Sequence, residues 1–269
     1  MLSKLLKFVA VSAAFGAVVW LEKRRPLRKS VESKIIRDTR NLAVAGIGAI
    51  VLAVAEKPVT DRLTKFVKDK NVGLLKIFKL PRFLETVLAV VLLDYTLYLW
   101  HVLTHKLPFL WRFHLVHHVD LDLDASTALR FHFGELTISV LFRAAQIVII
   151  GVSPDALKIW QMILFPAILF HHSNIELSPE IDKKLSRFIV TPRLHGIHHS
   201  NIREETDSNW SSILTVWDRL HNTLKTDVPQ SEIVIGVPAY QQKQDVNLVE
   251  ILKLPFENQR PDWQLTDGK

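Results

Sequence analysis

The chain has 269 residues, 48% of them hydrophobic and 23% charged, with a formal net charge of +7. Its positive mean hydropathy and long apolar runs set it apart from an ordinary soluble domain. The absence of cysteine excludes disulfides, thiolate-held iron–sulfur clusters and a cysteine nucleophile, and basic residues set between apolar runs, not along one polar face, argue against nucleic-acid binding.

In chain order, five apolar segments stand out: 5–21, 41–56, 83–104, 135–152 and 157–172. Lys4 and Lys7 precede the first, and Lys23-Arg24-Arg25 stops it, so it reads as a retained signal anchor and not a cleaved signal peptide. The basic loops Lys23–Arg40 and Lys57–Arg82 carry eight Lys/Arg each, so loop charge does not decide orientation there. Leu63, Phe66, Val67, Val72, Leu74, Leu75 and Phe78 among the lysines of the second loop predict an amphipathic helix lying in the membrane interface. Gly151-Val152-Ser153-Pro154-Asp155 ends one helix and starts the next, which makes the last two segments a hairpin. The expected fold class is all-α, an integral membrane helical bundle of about four to five membrane segments.

Ten of the twelve histidines fall into four groups: His101-x3-His105, His114-x2-His117-His118, His171-His172 and His195-x2-His198-His199. Neutral imidazole is the commonest metal ligand, and residues three and four apart on a helix share a face, so each group is expected to aim its rings in one direction. Three such groups meeting would exceed what one ion accepts, which points to a dinuclear site. The hairpin supports convergence, because a chain that leaves one membrane face at Glu135 must return to it at His172. Residues 173–269 share that side and hold eleven Lys/Arg, which predicts that the histidines are cytosolic.

Ligating histidines usually donate their second N–H to a carboxylate or carbonyl. Asp94, Asp120, Asp122, Asp124, Glu135, Asp207 and Asp218 are the candidates, with Asp94 foremost because it lies inside an apolar span seven residues before His101. His132 is either such a support or an interfacial residue, and His221 a surface or packing residue. Arg143, in mid-segment, is expected to meet an acidic group in the bundle or to snorkel.

In order, the chain shows Asp94-Tyr95-x2-Tyr98-x2-His101-x3-His105, Trp111-Arg112-Phe113-His114-x2-His117-His118, Thr127-x2-Arg130-x-His132, His172-Ser173-Asn174, Pro192-x2-His195-x2-His198-His199-Ser200, Thr206-Asp207-x-Asn209 and Trp217-Asp218-Arg219-Leu220. Over residues 85–255 this resembles the sterol desaturase and fatty acid hydroxylase superfamily of membrane-bound non-haem di-iron oxygenases. The resemblance implies a membrane bundle capped by a cytosolic histidine-rich domain that holds two iron ions. Its motifs carry over to His101, His105, His114, His117, His118, His172, His195, His198 and His199 as ligands, with His171 as an addition. Which of His171, His172 and Asn174 reaches metal stays open, since some members carry a further His-x3-His pair before the last triplet. Asp94, Arg130, His132, Asn174 and Asp218 become the supporting residues. Ser211 and His221-Asn222 depart from the family pattern off the ligand set, which bears on substrate shape more than on chemistry.

The domain organisation that follows is 1–82 for anchor segments, basic loop and interfacial helix, 83–234 for the catalytic domain and 235–269 for a tail. The expected activity is O₂-dependent hydroxylation or desaturation of a lipid or sterol, because oxidising an unactivated C–H bond needs a redox metal and zinc has no redox chemistry. No haem, flavin or iron–sulfur motif is present, so electrons would come from a cytochrome b5-type or ferredoxin-type donor and its reductase, an acidic one being steered by the basic surplus. The rival readings are a membrane zinc hydrolase and a non-enzymatic metal transporter or sensor, the last of which would place its ligands near the bilayer midplane.

Overall fold

A computed structural model describes residues 15–263. The expected signal anchor falls partly outside these residues; within them, residues 15–24 are helical. The architecture is all-helical, and no sheet forms among the described residues, only the isolated bridges Pro26↔Ile175, Ile189↔Leu214 and Ser200↔Ile235.

Helix α1 (Lys34–Val51) runs through a π turn at Leu52–Glu56 into α2 (Lys57–Lys70). The π turn has a local cause. Pro58 lacks an N–H and its ring crowds the carbonyl four residues back, so the helix widens and the Lys57 N–H reaches Leu52 O five residues away. The rod is therefore continuous across the boundary drawn between the second apolar segment and the interfacial helix. It stops at Asn71, whose left-handed φ of 53° ends α2.

Helix α3 (Arg82–Lys106) ends where Leu107, forced extended by Pro108, turns the chain into α4 (Pro108–His118). Helix α5 (Phe133–Ile150) and α6 (Pro154–His172) form the expected hairpin, with Gly151 at φ +85° closing α5 and Ser153 capping α6. A Cβ on Gly73 would sit 2.3 Å from the Cα of Gly151, so this pair of glycines lets the end of the α2 loop lie against the hairpin turn. Short helices and loops complete the chain, among them α7 (Pro192–His198), capped by Thr191.

Among the described residues, three helical stretches are long and apolar enough to cross a membrane: Lys34–Ile77, Arg82–Lys106 and Phe133–Ile150. Helix α6, expected as a span, is not one of them; it carries Pro166 inside, Pro154-Asp155 at its start and two histidines at its end. Outward faces are apolar, with Ile35 79%, Phe83 81% and Leu141 75% exposed, as lipid-facing surface requires. One core joins Val67, Leu93, Ile147 and Trp160 between the long helices. A second packs Val237, Tyr240 and Ile251 on Trp111 and Leu115 of α4, so residues 235–263 are an integral layer over α4 and not a loose tail.

Between α1 and the loop after α4 lies a buried charge network. Asp120 accepts from Arg40, Asn41 and Thr127, Asp124 pairs with Arg37 and Lys34, and Asp122 accepts the Val31 and Glu32 N–H groups. These three aspartates, candidates for histidine support in the sequence, instead tie the basic N-terminal segment to the loop that follows the histidine-bearing α4. Burial raises the Asp120 pKa, but Arg130, Arg37 and Arg40 outweigh it and hold the group below its ordinary 3.8. Its stabilising contribution is thus complete above about pH 4 and is lost as pH falls further. Asp120→Ala, which strands buried arginines, is expected to destabilise the fold by about 3–5 kcal/mol, read as a fall in the thermal unfolding midpoint in detergent.

Candidate metal centre

The fold sorts nine histidines into two groups, within each of which the ligand nitrogens lie within 4.8 Å of one another. The first holds His101 and His105 from α3, His114 and His118 from α4, and His198 from α7; the second holds His117, His172, His195 and His199. Each triplet is divided between the groups, where the sequence reading aimed all three rings one way. The reason is helical geometry: positions i and i+4 nearly eclipse, while the residue between them in the motif is turned by about 100°. His114 and His118 thus face one centre and His117 the other, and α7 repeats the device with His198 opposite His195 and His199. The groups share a wall, with the rings of His118 and His199 stacked 4.3 Å apart.

Ring tautomers follow from the outer nitrogens. The Nδ1–H of His101 donates to Trp210 O at 2.7 Å, that of His198 to Ser208 O at 2.8 Å and that of His172 to Ile168 O at 2.8 Å. His114 Nδ1 meets Glu135 Oε1 at 2.9 Å. Each such bond leaves Nε2 as the lone-pair atom turned inward. In the first group Nε2 of His105, His114, His118 and His198 is buried without a hydrogen-bond partner. In the second, Nε2 of His172 lies 3.0 Å from those of His117 and His195, and His195 and His199 are 3.1 Å apart. Two nitrogens bound at right angles to one ion about 2.1 Å away are separated by about 3.0 Å. The donor set therefore fits two metal ions.

Protonation of these rings is disfavoured. Burial first, and neighbouring imidazoles second, hold His117, His118, His195, His198 and His199 well below the ordinary value of 6.5. A cluster of buried neutral acceptors is unfavourable unless something electropositive fills it.

The remaining candidates are placed as follows. His171 stands outside both groups, its ring 4.1 Å from that of His195. Asn174 clamps the Arg28 backbone through both amide atoms, at 2.8 and 2.9 Å, and does not turn to the histidines. Arg130 donates to Val116 O and Asn41 Oδ1, bracing α4 from behind. His132 caps α5 by accepting from the Gly134 N–H, and donates to Leu252 O. Asp218 accepts the Trp210 and Ser211 N–H groups at 3.0 Å, so it fixes the peptide whose carbonyl holds His101. Asp94 reaches no histidine; it accepts from Trp217 Nε1 at 2.7 Å and the Leu214 N–H at 3.2 Å, anchoring α3 to the segment that carries Asp218. Asp207 pairs with Lys106, and His221 packs against Tyr95 and Tyr98. The carbonyls of Trp210, Ser208 and Ile168 were invisible to sequence reading, since every residue has a carbonyl and only the fold selects three.

A cavity of about 590 Å³ opens from the histidines into the bundle. His101, His114, His117, His172 and His195 form one end, and Leu52, Leu97, Phe142, Leu164 and Phe165 line its length. This is an all-helical protein with three membrane-length helices and a paired histidine centre at the end of an apolar cavity.

The chain belongs to the fatty acid hydroxylase family, whose match covers residues 86–223. It is 30% identical over 158 residues to ornithine lipid hydroxylase of Rhizobium tropici, covering 58% of this chain and 46% of that protein. It is 25% identical over 170 residues to alkylglycerol monooxygenase of Homo sapiens (63% and 36%) and 28% identical over 150 residues to human cholesterol 25-hydroxylase (51% and 50%). The match thus spans about a third to a half of the length of these relatives. No solved structure matches.

Two outcomes follow. His198→Ala and His195→Ala, one ligand from each group, should each lower bound metal from two ions to about one per chain, as counted by elemental mass spectrometry. In the metal-free protein the buried rings stay neutral while the unfolded chain takes up protons below pH 6.5, the ordinary imidazole value, so stability is lost as pH falls through that value. The unfolding midpoint of the metal-free chain should therefore drop between pH 7 and pH 5 more steeply than that of the metal-loaded chain.

Proposed function

We propose that the chain is an O₂-dependent membrane lipid hydroxylase whose histidines hold two iron ions. The observation that carries this reading is the junction of two imidazole groups with a largely apolar cavity of about 590 Å³. The bound ions would supply the redox chemistry that turns O₂ against an unactivated C–H bond. Nine rings exceed the three that a catalytic zinc site uses, and their position at helix ends is not that of a midplane transport site.

The protein's own residues bind, orient and exclude. Glu135 sets the plane of His114, Ile168 O that of His172, and Asp218, through the Trp210 peptide, that of His101. Leu52, Phe142, Leu164 and Phe165 hold the substrate chain and keep water from the reacting carbon. The relatives are named as hydroxylases and a monooxygenase acting on ornithine lipid, alkylglycerol and cholesterol, which favours oxygen insertion over desaturation and a lipid or sterol substrate. The histidine end faces the cytosol in this reading, where an external electron donor of cytochrome b5 or ferredoxin type docks.

Under ¹⁸O₂, membranes containing the chain should yield a lipid alcohol carrying one heavy oxygen atom, and none without O₂ or reductant. Product that forms anaerobically, or that zinc alone restores after chelation, would overturn the proposal in favour of a hydrolase. Glu135→Gln should lower metal affinity or turnover about 10- to 100-fold, as loss of a ligand's supporting partner does.

A further inference from the structure

The cavity is not apolar throughout. Arg143, Glu56, Trp160 and Gln161 also line it. Arg143 lies eight residues beyond Glu135 on α5, about 12 Å deeper along the helix axis, at a depth where a charge is costly. Among the described residues no carboxylate comes within ion-pair distance of it. Arg143 instead donates to Gln146 Oε1 at 2.6 Å and lies 4.3 Å above the Trp160 ring. Gln146 is itself pinned by donating to Thr96 Oγ1 at 2.5 Å, so the guanidinium is fixed in place. Two donors at this spot are buried and lack an acceptor: Arg143 Nε and the indole Nε1 of Trp160, a residue only 1% exposed. Such donors are costly unless a ligand atom accepts from them.

Charge restricts what that atom belongs to. The positive Arg143 and the negative Glu56 face one cavity, so the pair is neutral overall. A carboxylate or phosphate entering it would leave an uncompensated negative charge in a low-dielectric space. A hydroxyl or an amide would not, because it accepts from Arg143 and Trp160 and donates towards Glu56 or Gln161. The π turn at Leu52–Glu56 ends on Glu56, which places the carboxylate on the cavity wall.

We infer that Arg143, Trp160 and Glu56 form a polar anchor at the deep end of the cavity, selecting lipids that carry an uncharged hydroxyl or amide group at a set distance from the carbon held at the histidines. This rests on the proposal that the cavity is the lipid site, and it names these three as specificity-determining residues.

The test is displacement of a fluorescent lipid from the full chain in detergent by hexadecanol, hexadecanamide, hexadecanoate and hexadecane, a readout independent of turnover. The alcohol and the amide should bind at least about tenfold more tightly than the alkane and the carboxylate, a difference of about 1.4 kcal/mol. Arg143→Met should abolish that preference, and Glu56→Gln should strengthen hexadecanoate binding. If Arg143→Met fails to fold, Arg143→Lys, which keeps the charge but not the fork of donors, should weaken the preference. Equal affinity for all four probes, or an unaltered preference in the Arg143 variant that folds, would overturn the anchor and leave the lipid cavity standing. Displacement by none of the four would overturn both.

Discussion

Nine imidazole rings, brought to within ligand distance of one another in two groups, are the constraint around which the chain is organised. Rings stripped of water and packed lone pair against lone pair repel a compact arrangement unless cations sit between them. In such a protein metal binding and folding share one free energy. This accounts for the density of second bonds around the site: carbonyls of Trp210, Ser208 and Ile168 and the carboxylate of Glu135 fix outer nitrogens so that inner ones converge.

The scaffold achieves this with ordinary helix chemistry. Pro108 reverses α3 into α4 so that two sets of rings face each other, and Thr191 starts α7 at the register that gives His198 to one group and its neighbours to the other. Behind α4, Arg130 and the Asp120–Asp124 loop lock the ring-bearing helix to α1. A buried charge network is a weak source of net stability, but removing one member strands the others, so the pairing holds as a unit. The charge network lies between α1 and the loop after α4, next to the helix that carries His114, His117 and His118.

The sequence by itself determined the helical class, the identity of the histidines and their family, because metal ligation demands particular side chains at helical spacing and both are written in the order of residues. The α5–α6 hairpin was legible for the same reason, its Gly, Ser and Pro being local signals for stopping and starting a helix. Tertiary structure alone decided which ring serves which group, since the division of each triplet depends on where the opposing helix stands. It also decided that Asp94 holds Trp217 and not His101, that Asn174 clamps Arg28, and that Asp120, Asp122 and Asp124 meet α1. A carboxylate's partner is set by distance across the fold, and many partners are compatible with one sequence position. The cavity and its buried Arg143 belong to the same class of fact: an empty volume has no residues of its own, and only the packing of α1, α3, α5 and α6 gives it walls.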